Sequence, residues 1–279
     1  LKRESDFSLY IADAEQLPFL SVSDDWEHFF SFCPLNDLEN RIIPPYLRAS
    51  RWFAAKARTI RNVCLLETIP VKNNNDLTFI AFIEVHYTEG ASERYVLPFS
   101  FAFAELESRI RSEFPQALMA QIETPDQEGV LYDGMFNPEF QEALLMLIVQ
   151  RQTIQGKTGV VSGLRGKSFN KILGTQALPL RSRTLKAEQS NTSILYADTF
   201  IFKIYRKLEE GVNPDSEINR FLTDKTQFEN IPPYAGEITY RFQGGESAIL
   251  GLLQGFVPNE GDAWTYTLDA VERFFDQVQ

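Results

Sequence analysis

The stretch Thr199-Phe200-Ile201-Phe202-Lys203-Ile204-Tyr205-Arg206-Lys207 decides how this chain folds. Phe200, Phe202 and Ile204 alternate with Ile201, Lys203 and Tyr205, the period of two that marks a strand with one buried face. Before it, Ala197-Asp198 reads as a tight turn and residues 193–196 as a returning strand. Glu188-Gln189-Ser190-Asn191-Thr192 is a polar turn, and residues 183–187 form the strand that leads into it. After it, Asn213 caps a helix with Pro214 in first position and Asp215 and Glu217 in the first turns. Pro232-Pro233 precede two strands, 236–242 and 247–257, with Gly244-Gly245 between them. A last helix over about 262–279 carries Trp264, Leu268, Val271 and Phe275 at 3.6 spacing.

Hairpin, strand with lysine, helix with glutamate, hairpin, connector and helix is the plan of the nucleotide-binding lobe in kinase-like phosphotransferases. There a turn drapes backbone N–H groups over phosphates, a strand lysine contacts the non-transferred phosphates, and a helix glutamate fixes that lysine by an ion pair. Glu217 stands at the edge of the arc formed by Ile218, Phe221 and Leu222 rather than opposite it, which favours it as the acid. Taken alone, Lys203 reads equally as a strand-edge lysine, and the turn at 188–193 lacks any G-x-G-x-x-G.

Upstream, a small α+β unit covers about residues 26–105, and further material of the second unit begins at Glu105. Asp24 or Asp25 caps a short helix carrying Trp26, Phe29 and Phe30, and residues 38–47 form a second helical stretch broken by Pro44-Pro45. Strand patterns follow at 63–71, 77–87 and 94–101, with Asn73-Asn74-Asn75-Asp76 and Thr88-Glu89-Gly90 as turns. Residues 105–129 read as polar helix and loop, Tyr132-Asp133-Gly134 as a turn, and 138–152 as a helix. Residues 156–174 read as strands and turns with a basic cluster of Lys157, Arg165, Lys167 and Lys171, either a solvated hairpin or a phosphate-facing surface. The division expected is 1–25 linker or end of a preceding domain, 26–105 cap subdomain, 106–260 nucleotide-binding lobe and 261–279 hinge helix.

Composition narrows the partners. With 279 residues, 44% of them hydrophobic, the chain can bury a sizeable core, and 23 Phe with 10 Tyr point to aromatic sheet faces. A net charge of −11 argues against nucleic acid and anionic membranes, and no apolar run of membrane-spanning length occurs. Cys33 and Cys64 are too few for a disulfide framework, which favours the cytoplasm. His28 and His86 stand in no metal-ligand spacing, so no metal site is expected here.

Several segments resemble the bacterial maltokinase family, whose members are often fused to or associated with trehalose synthase. These are Glu188-Gln189-Ser190-Asn191-Thr192-Ser193, Phe202-Lys203-Ile204-Tyr205-Arg206-Lys207 and Glu209-Glu210-Gly211-Val212-Asn213-Pro214-Asp215 with Glu217. Leu253-Gln254-Gly255-Phe256-Val257-Pro258 through Trp264 resembles the family's hinge between lobes. Pro44-Pro45-Tyr46-Leu47 with Arg51-Trp52-Phe53-Ala54-Ala55-Lys56 resembles its cap signature, with alanine where glycine is usual at Ala55 and Ala57.

The resemblance implies a cap followed by a protein-kinase-like N-lobe, related to aminoglycoside phosphotransferases, and ATP-dependent phosphorylation of maltose to maltose 1-phosphate with Mg²⁺. By matching positions, Lys203 binds ATP phosphate and Glu217 orients it. Ser190, Asn191, Thr192 and Ser193 line the phosphate turn, while Gln254, Phe256 and Val257 form the adenine hinge. The family's catalytic Asp and metal ligands lie in a C-lobe that this chain lacks, so no catalytic residue is assigned within it and it is expected to be inactive alone. With Leu1 in place of an initiator Met, both ends read as cut. Two alternatives stay open: a non-catalytic module docking on trehalose synthase, and a kinase for another sugar or small alcohol.

Overall fold

In the computed structural model, residues 17–22, 30, 35–74, 76–185, 191–226, 228–259, 261 and 263–278 are described. The expected helix around Trp26 and Phe29, residues 1–16 and 23–25 of the expected linker over 1–25, Cys33, and Glu188 to Ser190 lie outside them. Among the described residues the chain builds two sheets of seven strands each, with helices between and beside them: an α+β fold.

The first sheet contains β1 (Phe19–Ser21), β2 (Ile60–Asn73), β3 (Asp76–Tyr87), β4 (Glu93–Phe103), β5 (Leu118–Glu123) and β6 (Glu128–Asp133), in the order β1-β5-β6-β4-β3-β2. The meander β2-β3-β4 is antiparallel, as its strand patterns and short intervening turns predict, and Asn74 takes the left-handed φ of 51° that a tight turn between β2 and β3 requires. Residues 105–129 differ from expectation. They hold α2 (Ala104–Glu113; α1 is described below), then β5, and the start of β6, so residue 105 falls in a helix between two strands of one sheet. Leu118, Met119, Ala120 and Ile122 are all buried, so β5 lacks the polar-apolar alternation that announces a half-exposed strand.

One face of this sheet is covered by α1 (Ile43–Ala49) with Trp52 and Phe53. Pro44-Pro45 do not break the helical stretch. A π-helical turn over Leu38–Ile42 leads straight into α1, with the prolines in its first turn, where a missing N–H costs nothing. Phe30 packs edge-on against Phe79 at 4.8 Å.

The other face meets α3 (Pro138–Val149) and the second sheet. That sheet comprises β7 (Thr153–Gln155), β8 (Gly159–Arg165), β9 (Ser182–Thr184), β10 (Asn191–Tyr196), β11 (Phe200–Tyr205), β13 (Tyr234–Phe242) and β14 (Ser247–Gly255), ordered β7-β8-β13-β14-β11-β10-β9 and antiparallel throughout. A short helix α4 (Phe169–Leu173) replaces the strand expected there, because Phe169 turns inward to stack on Phe200 at 4.8 Å. On β11 the alternation holds: Phe200, Phe202 and Ile204 are buried against α3 and the first sheet, and Ile201, Lys203 and Tyr205 face the other way. Beyond Arg206, β12 (Lys207–Leu208) pairs with β4, so the lysine strand runs directly from one sheet into the other. Two further helices complete the chain, α5 (Pro214–Lys225) and α6 (Ala263–Val278).

Candidate functional site

The outer face of the second sheet carries Lys203. Across the ladder it pairs with Ser193 on β10 and Leu252 on β14, and Leu252 pairs in turn with Glu237 on β13. Directly opposed residues point to the same face, so these four form one row. Ser193 and Glu237 are buried although polar.

Helix α5 lies against this face. Its start follows from the chain: the Asn213 side chain accepts from the Ser216 N–H at 3.2 Å, and Pro214 stands in the first turn. The helix docks through polar groups. Ser216 donates to the Glu237 carboxylate, Asn219 donates to the Pro232 carbonyl at 2.7 Å, and Thr223 accepts from the Tyr234 N–H at 2.9 Å. Ile218 and Phe221, the apolar arc in the sequence, are 54% and 57% exposed.

That docking decides which acid meets the lysine. Lys203 Nζ pairs with Asp215 Oδ2 at 2.6 Å, and the Tyr205 hydroxyl donates to the same oxygen at 2.8 Å. Burial pushes the Asp215 carboxyl up; the two hydrogen bonds and the ammonium charge outweigh it and hold the group below the usual carboxylate range. The expected Lys203–Glu217 pair does not form. At about 100° per residue, Glu217 lies roughly 200° around the helix from Asp215, and it lines a cleft of 440 Å³ with Lys167, Arg220, Phe221 and Glu237.

The expected phosphate turn is divided. Ser190 lies outside the described residues. Asn191, Thr192 and Ser193 belong to β10 rather than to a turn, and only Ser193 is opposite Lys203. Thr192 faces inward, where it accepts from Arg206 Nε at 2.9 Å. At the hinge, Gln254 pairs with Ile201 on the Lys203 face, the Phe256 N–H donates to the Thr199 carbonyl at 2.8 Å, and Val257 is 49% exposed. Among the described residues no three His, Cys, Asp or Glu side chains stand where they could hold a metal ion.

Asp215 and Arg206 went unread in the sequence, though each left a signal. Arg206 extends the inward series Phe200, Phe202, Ile204, and a charge at an inward position calls for a buried counter-charge. Asp215 is the acid nearest the helix start, beside the strand end it faces.

Residues 46–136 match the family described as the maltokinase N-terminal cap domain. The match runs from α1 to the turn just after β6, the extent of the first sheet and its covering helix apart from β1 and β12, so it is this unit of the fold that is similar to a maltokinase cap. Among solved structures the chain is similar to a glucosamine kinase in complex with glucosamine, ADP and inorganic phosphate. Identity is 13%, the TM-score is 0.43, and 83% of this chain and 44% of that one are covered. A second glucosamine kinase structure, crystal form A, matches at 14% identity and TM-score 0.42, over 78% of this chain and 40% of that one. The chain spans less than half the length of the structures it matches. No helix among the described residues is long and apolar enough to cross a membrane.

Proposed function

We propose that this chain is the N-terminal part of an ATP-dependent sugar kinase acting on the anomeric hydroxyl of maltose, with the cap built on the first sheet and the nucleotide held on the outer face of the second. The observation that carries the reading is a unit similar to a maltokinase cap, continuous with a strand whose Lys203 is ion-paired to an acid on the following helix. In this reading Lys203 donates to ATP phosphate oxygens, and Asp215, not Glu217, orients the ammonium with help from the Tyr205 hydroxyl. The backbone and side chains of 254–257 border the adenine. In this reading Mg²⁺ and the carboxylate that positions the acceptor belong to a C-terminal lobe. Association with trehalose synthase and a cytoplasmic location are part of the same reading.

The test is a substrate panel on the intact gene product, with Lys203→Ala beside wild type. Maltose should be the preferred acceptor, and Lys203→Ala should lose at least about a hundredfold in turnover, on the scale of a removed phosphate-clamping charge, while keeping the wild-type circular dichroism spectrum. Preference for an amino sugar overturns the acceptor. Absence of phosphoryl transfer to any sugar favours a docking module instead.

A further inference from the structure

The Arg206 side chain, 1% exposed, lies where the Lys203 strand passes into the first sheet. Its backbone carbonyl accepts from the Val96 N–H at 2.8 Å. Its guanidinium forks onto Asp133 at 3.2 and 2.6 Å while Nε donates to Thr192 Oγ1. Asp133, fully buried at the end of β6, accepts further bonds from the Tyr46 hydroxyl at 2.7 Å and the Met135 N–H at 3.0 Å. The ring of Trp52 lies 4.8 Å from the guanidinium. Burial, reinforced by the Asp133 charge, raises the Tyr46 phenol, so it remains a donor.

These partners come from four separate places: α1, the end of β6, β10 and the end of β11. A buried ion pair contributes little net stability relative to an apolar replacement, whereas a planar five-donor fork accepts only one arrangement of its acceptors. Thr192 pairs across the ladder with Ile204, and the next residue, Ser193, pairs with Lys203. The fork therefore ties the end of β11, the strand that carries Lys203, to its neighbour β10, and Tyr46 ties the fork to the cap.

We propose that Tyr46, Asp133, Arg206 and Thr192 form a positioning device through which the cap sets the nucleotide site. The inference rests on the nucleotide reading of Lys203. It makes Tyr46, on α1 of the cap, a determinant of ATP affinity that does not itself touch ATP.

Tyr46→Phe removes one hydroxyl and keeps the ring. Tyr240→Phe is its control, because Tyr240 donates to the buried Glu67 at another junction between the sheets. ATP is titrated into the wild-type chain, both variants and Lys203→Ala by NMR to millimolar concentration, with amide hydrogen exchange over 191–206 in parallel. Tyr46→Phe should weaken ATP at least about fivefold, the lower end of ordinary coupling between sites, and speed exchange over 191–206. Tyr240→Phe should shift ATP affinity less than about twofold, as expected for uncoupled sites. Wild-type affinity and exchange in Tyr46→Phe, or equal losses in both variants, overturn the inference, while a loss in Lys203→Ala keeps the nucleotide reading. A wild-type chain that takes up no ATP overturns both.

Discussion

Asp215 and Glu217 are two residues apart, and a helix turns them to opposite flanks. The partner of Lys203 is therefore decided by which flank faces β11, and Asp215 takes that place at 2.6 Å. Because the Asp215 carboxyl is held low by Lys203 and Tyr205, its stabilising effect is complete above the unfolded carboxylate value, about 3.9, and is lost as pH falls through the lower folded value. Asp215→Asn should thus lower the thermal midpoint most above about pH 4.5, with the difference closing towards about pH 2. Midpoints measured in steps across that range check it; a pH-independent difference refutes the ion pair as its cause.

At the scale of elements, the apolar strand runs of β3 and β4, the alternation on β11 and the Asn213-Pro214 helix start were legible, since each depends on residues within a few positions. The orientation of α5 was not. Its apolar arc of Ile218 and Phe221 suggested the buried face, yet Ser216, Asn219 and Thr223 dock because the sheet offers a carboxylate, a carbonyl and an N–H there. The seating of α3 on β8 likewise depends on one small residue. A Cβ at Gly163 would stand 2.1 Å from the Leu147 carbonyl oxygen, a backbone atom that cannot turn aside. Gly163→Ala should cost about 1–3 kcal/mol as an overpacking change, read from urea midpoints. Gly261→Ala, where a Cβ meets nothing within 4 Å, should stay within about 0.5 kcal/mol.

At the scale of the molecule, buried polar junctions among the described residues bind the sheets. Arg206 meets Asp133 at one, and at another Glu67 accepts from Tyr240 and from the Thr158 N–H and hydroxyl. Between them the shared core stacks Phe82 of β3 on Tyr240 of β13 at 3.8 Å. Neither sheet covers its inner face without the other, so urea unfolding should follow one transition, coincident by tryptophan fluorescence and circular dichroism. Arg206→Ala strands Asp133 in the interior and should cost about 3–5 kcal/mol. Two separated transitions in wild type would show that the cap stands alone.

From the sequence came the α+β class, the lysine strand with its flanking hairpin, the start of the acid-bearing helix, and the resemblance to a maltokinase cap, which the family match finds over 46–136. All of these are written in local periodicity and short motifs. Tertiary structure decided what meets what: Asp215 rather than Glu217 at Lys203, β5 and β6 inside the first sheet, Thr192 turned inward, and Arg206 on Asp133. Periodicity tells which side chains leave the backbone together. The neighbour that receives them is set by packing between segments far apart in the chain, as with Asp133 and Arg206, 73 positions from each other.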